Sequence, residues 1–78
     1  MKVKAFGIAR EILGNSSLFI EPDTVSTVGE LKAFLYEKYP DMLKLKTMAI
    51  AVDQSYASDE VNLTEDAEIV IIPPVSGG

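Results

Sequence analysis

The residues with the clearest chemical potential are the last six, Pro73-Pro74-Val75-Ser76-Gly77-Gly78. Pro73 and Pro74 have no N–H and a locked φ, so a strand ends on them and the exit is stiff and extended. Gly77 and Gly78 carry no Cβ, so the tip can thread a channel too narrow for any other residue. Ordinary glycine usage puts Gly-Gly at the end of only about 0.5% of chains, which favours purpose over chance. The reactive group delivered by such a tail is the α-carboxylate of Gly78. A carboxylate is a poor electrophile and must be activated. Adenylation with ATP in a partner enzyme makes it a mixed anhydride. A sulfur donor can then displace AMP and leave a thiocarboxylate, or an amine can displace it and form an isopeptide bond.

The rest of the chain offers no competing chemistry. It has no histidine and no cysteine. The usual general base near neutral pH, the commonest metal ligand and any thiolate or disulfide are therefore missing. This argues against a self-contained hydrolase, a transferase or a zinc module. The expectation is a chain whose catalysis belongs to its partners, with no metal and no bound cofactor, ATP being consumed by the activating enzyme.

Size and charge narrow the class further. With 78 residues the chain makes one domain. The domain is expected over residues 1–74, with 75–78 as an extended tail. No apolar stretch approaches the roughly 20 residues of a membrane span. Met1-Lys2-Val3-Lys4 lacks the apolar core of a signal peptide, so a cytoplasmic location and no membrane partner are expected. Twelve acidic residues against seven basic ones give a net charge of −5. That sign repels phosphate backbones and argues against nucleic acid. It suits a protein that meets basic protein surfaces.

The elements that must position the tail are legible from periodicity. Met1 to Ile8 alternates as a strand, with Val3 and Ala5 on one face and Lys2, Lys4, Phe6 and Ile8 on the wetter one. Ala9 to Leu13 reads as a helical turn closed by Gly14-Asn15. Ser17 to Glu21 is a second strand, ended by Pro22-Asp23-Thr24. Thr27 and Glu30 have the spacing of a capping box. Val28, Leu31, Phe34, Leu35 and Tyr39 then form one apolar stripe of a helix that Pro40 stops. Met48 to Val52 reads as a strand, Asp53-Gln54-Ser55 as a turn, and Tyr56-Ala57 as a short strand. Glu68 to Ile72 is the last strand. It is apolar on both faces, so it lies in the middle of the sheet or has one face covered by something else.

One amphipathic helix covers one face of one sheet, an α+β arrangement in two layers. The other face stays open. Phe6, Val70 and Ile72 fall on it, with Lys2, Lys4 and Glu68 around them. If the first and last strands are neighbours, these residues cluster into an apolar patch rimmed by charge, the signature of a docking surface.

Three stretches together resemble the small-subunit family of molybdopterin synthase, sulfur carriers with a β-grasp (ubiquitin-like) fold. Phe6-Gly7-Ile8-Ala9-Arg10-Glu11-Ile12-Leu13-Gly14 is similar to the family's Phe-Ala-x-x-Arg-Glu-x-x-Gly. Ala51-Val52-Asp53-Gln54 stands where the family has an apolar strand running into Asn-Gln or Asn-Gly. Pro73-Pro74-Val75-Ser76-Gly77-Gly78 matches the family's Pro-Pro-Val-Ser/Thr-Gly-Gly throughout. Two departures stand out. Gly7 replaces alanine, and Glu65-Asp66-Ala67-Glu68 replaces Asp-Gly-Asp-Glu, which puts Asp66 at a turn position that the family fills with glycine.

The resemblance implies a mixed sheet of about five strands covered on one face by one main helix. It implies that Gly78 becomes an acyl-adenylate and then a thiocarboxylate, which donates sulfur to the pyranopterin precursor of the molybdenum cofactor. Pro74, Val75, Ser76 and Gly77 then carry Gly78 into the active site of a large subunit. Phe6, Tyr56 and Ile72 match the family's apolar docking patch, and Arg10 and Glu11 are read as structural or rim contacts. The implied partners are that large subunit, in an assembly of two small and two large chains, an adenylating enzyme of the ubiquitin-activating type, and a sulfur donor. Three other readings share the same residues: a sulfur carrier for thiamine thiazole synthesis or tRNA thiolation, a ubiquitin-like modifier joined to lysines, and an interaction module with an inert tail.

Overall fold

The computed structural model describes residues 1–21, 23–45 and 48–72. Its first strand, β1 (Lys2–Ala5), alternates as expected, with Val3 and Ala5 buried and Lys2 and Lys4 exposed. It ends earlier than the pattern suggests. Phe6 is extended (φ −128°, ψ 163°) and serves as the N-cap of α1 (Gly7–Leu13). The chain turns into this helix through Gly7 at φ +57°, a left-handed conformation that costs glycine little. Gly14 closes the helix at φ +75°, its N–H reaching the carbonyls of Arg10 and Glu11.

β2 (Ser17–Phe19) returns antiparallel to β1. It is shorter than the expected Ser17–Glu21, although Ile20 and Met1 extend the contact by exchanging two main-chain hydrogen bonds. The main helix, α2 (Val28–Lys38), starts where the capping spacing places it, with the Thr27 hydroxyl accepting from the Glu30 N–H at 3.2 Å. The reciprocal arm lands one residue upstream. The Glu30 carboxylate accepts from the Ser26 N–H at 2.8 Å, while Thr27 itself is bridged to Asn62. The helix ends at Lys38, before Pro40, as proline sterics require. A 3-10 helix over Pro40–Lys44 follows and buries Met42 completely.

β3 (Ala49–Val52) and β4 (Ser55–Tyr56) form a hairpin. Both turn residues take positive φ, Asp53 at 51° and Gln54 at 72°. Such left-handed pairs match the twist of a two-residue hairpin. Asp53 is also tied to the last strand. Its N–H donates to the Glu68 carbonyl (2.8 Å), and its carboxylate accepts from the Glu68 N–H (3.0 Å). Asp66 does not adopt the left-handed conformation that glycine would supply. The turn there closes with the Ala67 N–H donating to the Thr64 carbonyl, a geometry open to any residue.

β5 (Ile69–Ile72) lies between β1 and β3, parallel to the first and antiparallel to the second. The sheet order is β2-β1-β5-β3-β4, mixed and five-stranded, with the two-faced apolar strand at its centre as expected. Val3, Ala5, Ile50, Ile69 and Ile71 turn one sheet face toward Val28, Leu31 and Leu35 of α2, all of them buried. Phe34 and Tyr39, from the same helical stripe, pack half-buried at the margin of this core. This is the β-grasp arrangement. The segment between β4 and β5 is held against the start of α2, where the N–H groups of Val28 and Gly29 donate to the carbonyls of Val61 and Asp59. A Cβ on Gly29 would come within 3.2 Å of the Asp59 side chain and 3.3 Å of its carbonyl oxygen, so a larger residue there would require Asp59 to give by a few tenths of an ångström. None of the described helices is long and apolar enough to cross a membrane.

Candidate functional site

Strand register decides what the open face carries. Neighbouring residues on adjacent strands share a face, so each row can be read across the sheet. One row runs Ser17, Lys4, Val70, Ala51 and Tyr56. In the next, Ile72 of β5 lies opposite Ala49 of β3. Phe6 continues the alternation of β1 by one extended residue, which brings it beside Ile72. Phe6 is 58% exposed and Tyr56 75%, while Val70 and Ile72 are half-buried. From β1 to β4 the patch crosses three strand spacings, roughly 14 Å.

The structure thus gathers Phe6, Tyr56, Ile72 and Val70 on one surface, although 66 positions separate Phe6 from Ile72. Parity places Phe6 and Ile72. The hairpin places Tyr56, since pairing with Ala51 turns it to the open side. Ala49 and Ala51 floor the patch between the larger residues. The large-small alternation of Met48 to Val52 carried that signal. Phe19 is a feature that sequence patterning did not single out. It is 68% exposed on edge strand β2, across from Lys2 and separated from the main patch by β1.

Charge surrounds the apolar area. Lys4 lies 3.9 Å from the Glu68 carboxylate, with both side chains about half exposed, a contact too open to add much stability. Arg10 and Glu11 of α1 are exposed and line a shallow depression with Gly7, Gly14, Asn15 and Ser16. They lie at the end of the sheet where β1 and β5 finish. Pro74, Val75, Ser76, Gly77 and Gly78 lie outside the described residues. What the described residues give is the root of that segment. Ile72, immediately before Pro73, sits within the apolar patch itself. Six further residues span at most about 20 Å.

An exposed apolar area rimmed by charge is the pattern of a docking surface. The family model for the ThiS family matches residues 3–78. The chain belongs to the ThiS family. A relative at full length makes the kinship closer. The molybdopterin synthase sulfur carrier subunit of Caenorhabditis briggsae is 40% identical, over all of this chain and 96% of the relative. Among solved structures, a chain in the complex of subunits 1 and 2 of the molybdopterin-converting factor from Helicobacter pylori is 29% identical. It superposes with a TM-score of 0.68, covering 99% of this chain and 96% of that one. The small archaeal modifier protein 1 of Methanosarcina acetivorans is 27% identical with a TM-score of 0.80, over 99% of this chain and 94% of its own. These likenesses run the length of the chain, so the open sheet face and the Gly-Gly end fall within them.

Proposed function

We propose that the chain is the sulfur carrier subunit of a molybdopterin synthase. In this reading residues 1–74 are the docking domain and 75–78 the delivery tail. The Gly78 carboxylate attacks the α-phosphate of ATP in an adenylating enzyme, releasing pyrophosphate and leaving an acyl-adenylate. A sulfur donor that delivers hydrosulfide displaces AMP, so the acyl C–O bond breaks, a C–S bond forms and AMP leaves with the electron pair. The thiocarboxylate then gives its sulfur to the pyranopterin precursor inside a large subunit, and water restores the carboxylate. Two small and two large chains make the working assembly.

The observation that carries this reading is the place of Ile72 within the exposed apolar patch. A partner that covers Phe6, Tyr56 and Ile72 necessarily holds the root of the tail against its own surface. The next six residues then start at that partner's surface and can reach at most about 20 Å from it. The full-length relationship to a molybdopterin synthase sulfur carrier subunit supports the choice of pathway. Intact-mass spectrometry tests it. The mature protein is first shown to end at Gly78. It is then incubated with the adenylating enzyme, ATP and a sulfur donor. The expected product carries one sulfur in place of one oxygen at Gly78. An unchanged mass, with an enzyme that activates a control carrier, sinks the proposal.

The likeness to an archaeal modifier protein favours one second reading, conjugation of Gly78 to lysines. Recovery of Gly78 in isopeptide linkage on many cellular proteins supports it over the carrier role.

A further inference from the structure

The open face carries a positive stripe that runs against the composition of the chain. The net charge is −5, yet Lys2 and Lys4 both project from β1 onto this face. Arg10 joins them from α1. Lys2, Lys4 and Arg10, with Phe6 and Ser17, line a groove of about 250 Å³ at the corner where β1 leads into α1. Little compensates these charges. The Lys4–Glu68 contact is long and open, and neither Lys2 nor Arg10 forms an ion pair among the described residues. Residues lining one small groove lie within about one Debye length of each other at physiological salt, so their fields add.

We infer that this groove receives an acidic segment of the protein that docks on the sheet. Carboxylates of the partner meet Lys2, Lys4 and Arg10 while its apolar residues cover Phe6 and Ile72. The inference rests on the docking reading above and adds the chemistry of the partner's surface. Continuity of the two surfaces supports a single occupant, since Phe6 borders both the groove and the apolar patch. Complementary rim charges act mainly on encounter rate and on choice of partner, and apolar burial acts mainly on lifetime. The stripe therefore selects an acidic docking surface, although the chain as a whole is acidic and would be repelled by one.

Association kinetics with the molybdopterin synthase large subunit of the same organism test this at low and high salt. The variants are Lys2→Glu with Lys4→Glu, Arg10→Glu, and Phe6→Ala. All four positions are exposed, and a cooperative unfolding transition confirms that each variant folds. The lysine double reversal is expected to lower the association rate at low salt by about tenfold or more and to flatten its salt dependence. Arg10→Glu acts in the same direction. Phe6→Ala speeds dissociation and leaves the salt dependence in place. A compensating acid-to-lysine change on the large subunit restores the rate of the lysine variant. If the wild-type protein binds at a rate that neither salt nor the lysine reversal alters, the inference is wrong and the docking reading survives. If the wild-type protein does not bind at all, both fall. Inorganic phosphate binding that the lysine reversal abolishes, with unchanged association, reassigns the groove to a small anion and overturns the inference.

Discussion

Replacing Phe6 by alanine should weaken docking while leaving the domain folded. The two effects can be separated because Phe6 is 58% exposed. An aromatic side chain buries on the order of 200 Å² when fully covered. The exposed share leaves roughly 115 Å² for a partner to cover, worth up to about 3 kcal/mol at 25 cal/mol per Å². Alanine keeps about a third of that contact, so the expected loss is about 2 kcal/mol, or roughly thirtyfold in Kd. The part already covered within the domain is smaller, and its loss should cost about 1 kcal/mol of stability, roughly 4–8 °C in Tm. No capping bond is lost, because the Phe6 side chain makes none at the start of α1. Titration calorimetry with the large subunit gives Kd, and thermal denaturation gives Tm. A Kd within twofold of wild type would refute the placement of Phe6 in the interface. A collapse of Tm by about 20 °C would show instead that Phe6 belongs to the core.

Other outcomes follow from the same structure. Leu35→Ala removes a side chain with no exposure from the centre of α2, so it should cost about 2–5 kcal/mol by urea denaturation; a smaller loss means the core repacks around the gap. Gln54→Gly relieves a left-handed residue at φ 72° in the β3–β4 turn and should gain up to about 1 kcal/mol, read as a higher urea midpoint. Deleting Gly77 and Gly78 should abolish sulfur loading by intact mass and leave the unfolding midpoint unchanged, because the last few residues of most domains contribute little to the core; a truncated protein that still supports cofactor synthesis rules out the carrier mechanism.

The segments that periodicity describes well are those whose neighbours are local. Lys2 to Ala5 alternates because one face of the strand is wet and the other dry. Val28, Leu31 and Leu35 recur at helical spacing because one face of α2 meets the sheet. Met42 was not legible, because a five-residue 3-10 helix is too short to establish a period. The end of β1 was also hidden. Phe6 is extended and keeps the alternation going, and the helix starts only because Gly7 takes positive φ. Tyr56 sits in a two-residue strand that has no alternation of its own, so family resemblance proposed it and the hairpin register placed it.

The sequence by itself determined the elements, the capping of α2, and the two-faced apolar character of β5. These depend on contacts between residues a few positions apart. It also narrowed the side-chain chemistry, since the sequence has no histidine and no cysteine. Only the tertiary structure decided that Phe6, Ile72 and Tyr56 share a surface and that Lys2, Lys4 and Arg10 share a groove. Parallel pairing of β1 with β5 joins residues almost a full chain length apart. Such pairing depends on long-range packing of the whole core, because strand register has no local cause beyond the turn that precedes it.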